Sequence, residues 1–164
     1  MPVLDEILEA NESYAASFTK GDLPAPPARR FVIVTCMDAR LDPAKYAGLT
    51  EGDAHVIRNA GGVVTDDVLR SLMISHWLLG TQEAFVIGHT DCGMEAFTDD
   101  QLRRKLADEA GADVRDLEFH TFPDVRSRVA ESVARLRETD LLPPPFAAKG
   151  FVYDVRSGRL EQVT

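Results

Sequence analysis

The sequence predicts a three-layer α/β fold, in which helices flank a mostly parallel sheet of four to five strands and an N-terminal helical arm precedes the sheet. Short apolar runs rich in β-branched residues are typical of buried strands, and they occur at residues 31–35, 54–58, 84–88 and 150–154. Helical patterns separate several of these runs, and a strand, helix, strand order favours right-handed parallel crossovers. The chain has 164 residues, a length that suits one domain with a single core.

Residues 1–30 are predicted to form a helix followed by an extended arm. Residues 3–19 carry apolar side chains at helical spacing, and Gly21 marks the end of that helix. Residues 23–30 contain three prolines, which lack the backbone donor that a helix or a central strand needs. We expect this segment to pack on a second copy in a homodimer, with residues 31–164 forming the metal-binding α/β domain. The alternative is a helix folded back on its own sheet, and a dimer of dimers is left open.

Capping residues predict three more helices. They are predicted to run from Thr65 to Gly80, from Thr98 to about Ala110, and from Pro123 to about Glu138. Thr98 with Gln101 forms a capping box. We expect Trp77 in the first of these helices to pack in the core. A short terminal strand is expected after Arg159, where a turn reverses the chain.

Metal-ligand side chains follow two of the predicted strands. Cys36 and Asp38 come after the first strand, two residues apart, and His89 and Cys92 come after the third. Because the carboxyl ends of parallel strands meet at one edge of a sheet, these four side chains are expected to converge there. Two thiolates, an imidazole and a carboxylate suit tetrahedral Zn²⁺. We expect Asp91, between two of these ligands, to cap the turn or support a ligand rather than to bind the metal.

Asp38 and Arg40 decide whether such a zinc site is structural or catalytic. With all four side chains bound, the site is closed to water. Arg40 lies two residues beyond Asp38, and its planar guanidinium can accept that carboxylate in a bidentate pair. If Asp38 leaves the metal for Arg40, a water molecule can bind zinc at the open position. Zinc then lowers the pKa of that water, so the water can lose a proton. The alternative is a fixed Asp38 ligand, with Arg40 neutralising excess negative charge.

The chain resembles the β-class carbonic anhydrases in the runs Cys36-Met-Asp-Ala-Arg40, Arg58-Asn-Ala-Gly-Gly62 and His89-Thr-Asp-Cys-Gly93, in that order. The resemblance covers nearly the whole chain. It implies one zinc per chain and reversible hydration of carbon dioxide to bicarbonate and a proton by zinc-bound hydroxide. It further implies that Cys36, His89 and Cys92 are zinc ligands, that Asp38 is a ligand or a gate, and that Arg40 is its partner. The backbones of Gly61, Gly62 and Gly93 are then substrate contacts.

Two departures from the family pattern bear on substrate and regulation. Many members place a Gln before the first zinc cysteine, whereas residues 23–28 contain none, and members with a regulatory bicarbonate pocket use a Trp that residues 31–35 lack. Similar chains hydrolyse carbonyl sulfide or carbon disulfide with the same ligands, so this activity is an alternative. A low-turnover zinc-containing sensor is a second alternative.

Composition limits the partners. The net charge of −9 argues against a nucleic-acid or anionic-membrane surface, and the apolar runs are too short to span a bilayer. We see no targeting leader before Leu4 and only two cysteines, so we expect a cytoplasmic protein with reduced thiols that acts on a small molecule.

Overall fold

Four parallel strands and one antiparallel strand form the sheet in the computed structural model, which describes residues 2–164. The strands are β1 (Phe31–Cys36), β2 (His55–Asn59), β3 (Glu83–His89), β4 (Ala147–Tyr153) and β5 (Leu160–Gln162), and their spatial order is β2-β1-β3-β4-β5. The helices are α1 (Val3–Ala16), α2 (Pro43–Tyr46), α3 (Asp66–Leu79), α4 (Asp99–Ala110) and α5 (Val125–Glu138). Only β5 runs antiparallel to its neighbour, β4. The predicted α/β class and mostly parallel sheet are confirmed.

Local capping explains where the helices begin. The Thr65 side chain accepts a hydrogen bond from the Val68 backbone at the start of α3, and both bonds of the capping box at Thr98 are present at α4. At α5 the prediction was two residues early, because the helix begins at Val125. Its N-cap is Asp124, whose side chain accepts from the Ser127 backbone N–H. Within residues 2–164, no helix combines the length and the apolar character needed to cross a membrane.

The main core lies between one face of the sheet and helices α3 and α5. Val32, Val34 and Val86 of the sheet are fully buried against this layer, as is Leu72 of α3. Trp77 does not join them, and our expectation for this residue was wrong. It follows Leu72 by five residues, which turns it about 140° around the helix, and it is 60 % exposed. Its indole donates to the Leu141 carbonyl instead.

The other face of the sheet carries a smaller apolar cluster built on Phe31, Ile33 and Ile87. Helix α2 and the loop after it cover part of this face. A groove of about 360 Å³ remains, lined in part by Phe85 and Phe151. Helix α1 does not fill it, because every residue of α1 is exposed. Both the groove and the apolar side chains of α1 therefore face solvent in a single chain.

Candidate metal centre

Three metal-ligand side chains meet at the carboxyl edge of the sheet. Cys36 is the last residue of β1 and His89 is the last residue of β3, and these strands are parallel neighbours. Cys92 follows in the turn after β3. The ligand atoms of the three residues lie within 4.8 Å of one another, and all three residues are buried. The convergence predicted from the strand ends is confirmed for these three side chains.

The ring of His89 is oriented for a metal. Its Nδ1 lies 2.9 Å from the Thr90 carbonyl oxygen. Because a carbonyl oxygen can only accept, Nδ1 carries the hydrogen and donates it, which leaves the free lone pair of the ring on Nε2. That Nε2 is buried and has no hydrogen-bond partner among residues 2–164. Zinc bonds of about 2.0–2.3 Å to nitrogen and sulfur place tetrahedral ligand atoms within about 4 Å of one another. Two sulfurs and an unpartnered imidazole nitrogen at this spacing fit one Zn²⁺.

The two thiols shift each other's protonation. A hydrogen bond from Cys92 lowers the pKa of the Cys36 thiol, with further help from His89 and the Gly61 backbone. The same contact with Cys36, together with burial, raises the pKa of Cys92. For His89, burial acts to lower the pKa, but the nearby Cys36 sulfur and its negative charge outweigh burial and raise the pKa overall. The contact between the two thiols therefore favours the thiolate at Cys36 over the thiolate at Cys92.

Asp38 lies beside this trio and is paired with Arg40. The Arg40 Nε and Nη2 donate to the two carboxylate oxygens at 3.0 and 2.8 Å, and the Arg40 backbone N–H donates to Asp38 Oδ1 at 2.8 Å. Asp38 Oδ2 is 3.8 Å from Nε2 of His89. These contacts with Arg40 hold the pKa of Asp38 well below its usual range. The carboxylate is thus near the trio but bound to arginine, and its role as a fourth ligand stays a prediction.

The glycine turn after β2 packs directly against Cys36. The Gly61 N–H donates to Cys36 Sγ at 3.4 Å. Gly62 has φ +64°, and a Cβ built on it would lie 2.9 Å from the Cys36 backbone nitrogen, so only glycine allows this approach. Gly93 begins the single 3-10 turn that follows Cys92. These glycines surround the trio, and their roles as substrate contacts stay predictions.

Arg58 supports the same edge in a way that the sequence did not reveal. Its Nε donates to the Cys36 carbonyl at 2.9 Å and its Nη2 to the Asp38 carbonyl at 2.7 Å. The sequence offered two signals, the place of Arg58 near the end of a predicted strand and its place at the start of the Arg58–Gly62 run. In the structure, parallel pairing sets Arg58 beside Thr35. Arg58 therefore fixes the backbone that presents Cys36 and Asp38.

Asp91 does not reach the trio as a ligand but binds Arg40. Arg40 Nη1 donates to Asp91 Oδ2 at 2.7 Å, and Nη2 donates to the Asp91 carbonyl at 2.9 Å. The expectation that Asp91 supports the site rather than binding the metal agrees with these contacts. Arg40 thereby links the segment after β1 to the segment after β3.

Comparison with known proteins agrees with this geometry. The sequence profile of the family described as carbonic anhydrase matches residues 31–160. The chain is 48 % identical to β-carbonic anhydrase 1 of Mycobacterium tuberculosis, over 100 % of this chain and 99 % of that protein. It is 32 % identical to a carbon disulfide hydrolase of Saccharolobus solfataricus, over 97 % of this chain and 88 % of that protein.

The fold of the chain also matches a solved carbonic anhydrase structure. The crystal structure of a carbonic anhydrase from Streptococcus mutans superposes with a TM-score of 0.95 at 43 % identity, covering 100 % of this chain and 99 % of that one. Profile, full-length identity and fold therefore agree with the cysteine and histidine trio, and the chain belongs to the β-carbonic anhydrase family.

Proposed function

We propose that this protein catalyses the reversible hydration of carbon dioxide to bicarbonate and a proton, with one Zn²⁺ held by Cys36, His89 and Cys92. The observation that carries the proposal is the buried trio, whose one uncommitted imidazole nitrogen faces two sulfurs within 4.8 Å. Identity to a β-carbonic anhydrase is 48 %, against 32 % to a carbon disulfide hydrolase, so carbon dioxide is favoured as the substrate.

The residues around the trio have separate tasks in this reaction. Bound zinc supplies a hydroxide nucleophile near neutral pH. Asp38, kept ionised by Arg40, is an acceptor only, so it can take a hydrogen bond from the nucleophile and orient it. In the gate that we propose, Arg40 holds Asp38 away from the metal position when the site is open, and Asp38 returns as fourth ligand when it is closed.

The walls of the site suit a small neutral substrate. Met94 and Phe122 pack beside Gly61, where a Cβ would approach the Phe122 ring at 2.8 Å. Apolar side chains offer no competing charge to a linear neutral molecule. We propose that the backbones of Gly61, Gly62 and Gly93 contact it. Because the Gly61 N–H is already donated to Cys36 Sγ, we propose that the N–H groups of Gly62 and Gly93 polarise the substrate where the family's Gln is missing.

The test is stopped-flow carbon dioxide hydration by protein of measured zinc content, from about pH 7 to about pH 9. Carbonyl sulfide and carbon disulfide hydrolysis are assayed beside it. His89→Asn is expected to lose zinc and activity. His120→Asn is the matched control, since it replaces another histidine, one outside the trio. Fast hydration that rises with pH supports the proposal. Faster turnover of either sulfur compound moves the assignment to a hydrolase, and zinc without turnover supports a sensor.

We also propose that residues 1–30 form a homodimer contact, in which α1 of one copy covers the apolar groove of the other. The ion pair between Lys20 and Glu51 ties the segment just after α1 to its own chain, while Leu8 and the other apolar residues of α1 face solvent. The groove beside Phe85 and Phe151 is the matching uncovered apolar surface. A second copy supplies both halves of this contact at once.

The dimer is tested by measuring mass in solution with light scattering. The intact chain is expected to have the mass of two chains, or of four if dimers pair further. Leu8→Asp should reduce it to one chain. Leu117→Asp is the control, because Leu117 is 52 % exposed and Leu8 is 53 % exposed, but Leu117 lies outside the arm. A monomeric intact chain, or a Leu8→Asp variant that keeps its mass, would contradict the contact.

We further propose a cytoplasmic location. Both cysteines are free, buried and within ligand distance of each other. Zinc binding requires them as thiolates, and a reducing compartment protects such a pair from oxidation to a disulfide. Fractionation of cells followed by immunodetection of the protein would test the location.

A further inference from the structure

The guanidinium of Arg40 is shared between two carboxylates from different parts of the chain. Its Nε and Nη2 hold Asp38, two residues away, and its Nη1 and Nη2 hold the side chain and the carbonyl of Asp91. Arg40 is 46 % exposed at its side chain, so it is a surface arginine held by several directed bonds rather than by burial.

A second Asp–Arg pair in the chain can be compared with Asp38 and Arg40. Arg115 binds Asp113 with the same two-residue spacing, through Nε at 2.9 Å and Nη2 at 2.8 Å. That pair lies in the exposed loop that follows α4, outside the segments that supply the metal ligands. The local fork between Asp and Arg therefore forms from the spacing alone. At Arg40 the additional contact comes from a residue that is 51 positions further along the chain.

The backbone of Asp91 is shaped for this contact. Its φ is +56°, a left-handed conformation that Asp and Asn tolerate better than other residues with a side chain. With this backbone, the carbonyl and the carboxylate of Asp91 both accept from the same guanidinium. Asp91 also lies between His89 and Cys92, so it moves with the segment that supplies two of the three ligands.

We infer that Asp91 is a positioning residue, which tethers Arg40 to the His89–Cys92 segment and so keeps Arg40 where it holds Asp38 away from the metal. This inference rests on the gate proposed above. An exposed ion pair is held weakly, and a free arginine side chain explores many rotamers. Without the tether, Arg40 spends more time in solvent and Asp38 returns more often to the metal position. Any anion that must displace Asp38 then binds more weakly.

The test uses azide as the probe and cobalt in place of zinc, because the visible spectrum of Co²⁺ reports its ligands directly. Asp91→Gly removes the carboxylate but keeps a residue that adopts positive φ readily. We expect azide binding to weaken about three- to tenfold, the range for one hydrogen bond of ordinary net strength, because solvent screens this exposed ion pair, with the cobalt content unchanged. Asp91→Asn keeps a neutral acceptor and should recover part of the affinity. Asp113→Gly, the matched control, should leave azide binding as in the wild type.

A double variant separates this mechanism from a direct effect of charge. In the Asp38→Asn background the proposed competitor for the metal position is weakened, so adding Asp91→Gly should change azide affinity little. Unchanged affinity in Asp91→Gly alone would overturn the inference, as would an equal loss in both backgrounds. If the wild type binds cobalt and azide but hydrates no carbon dioxide, the proposed function fails while the positioning role is still measured.

Discussion

Replacing Gly62 by alanine tests whether close packing of the glycine turn holds Cys36 in place. At Gly62 two penalties combine. The backbone has φ +64°, and the new Cβ would lie 2.9 Å from both the Cys36 nitrogen and the Thr35 carbonyl carbon. Gly111 has nearly the same φ, +60°, but a Cβ there meets no atom within 4 Å. The pair of variants therefore separates backbone strain from collision.

The expected magnitudes follow from these distances. Gly111→Ala carries the left-handed penalty alone, about 1 kcal/mol of unfolding free energy. Gly62→Ala adds an overlap with backbone atoms of β1. Because β1 is paired on both sides, it cannot move aside freely, and overpacking of this kind costs about 1–3 kcal/mol more. We expect a total of about 2–4 kcal/mol, with a displaced Cys36 and weaker zinc binding as the functional result.

Two measurements on each variant check this reasoning. Urea unfolding of the metal-free proteins gives the free energies, and competition with a chromophoric chelator gives the zinc affinities. Gly111→Ala should bind zinc like the wild type. The reasoning is refuted if Gly62→Ala is no less stable than Gly111→Ala, or if it binds zinc equally well.

Two further predictions concern stability. Asp99 accepts hydrogen bonds from the Phe119 and Thr121 backbones and from the Thr121 hydroxyl, so Asp99→Ala should cost about 2–3 kcal/mol in urea unfolding at pH ~7. Burial alone would raise the pKa of Asp99, but these bonds lower it to about 2, so its contribution is full above pH ~4 and fades as pH falls toward ~2. The difference between variant and wild type should therefore shrink in acid, and a difference independent of pH would contradict it. Removing zinc with a chelator should lower the free energy of unfolding by about 4 kcal/mol if free zinc had been a thousandfold above its dissociation constant. An unchanged melting temperature would contradict zinc binding to the folded chain.

Much of the fold and the ligand trio could be predicted from local signals. The β-branched runs located β1 to β4, and the caps at Thr65 and Thr98 located two helices because capping depends on neighbours in sequence. Cys36 and His89 were predicted to meet because both end parallel strands, and parallel strands end at one edge. The pattern of apolar residues and the capping residues at helix ends were sufficient to predict these features.

Contacts between distant segments required the tertiary structure. Trp77 is exposed because the position of a residue around a helix, rather than its hydrophobicity, decides which face it occupies. Helix α2 was missed since four residues carry too little periodicity to detect. Only the folded chain brings Asp91 to Arg40, and Arg58 to the backbone of Cys36. The sequence by itself therefore determined which chemical groups reach the sheet edge, while packing and long-range hydrogen bonds decided how those groups are held there.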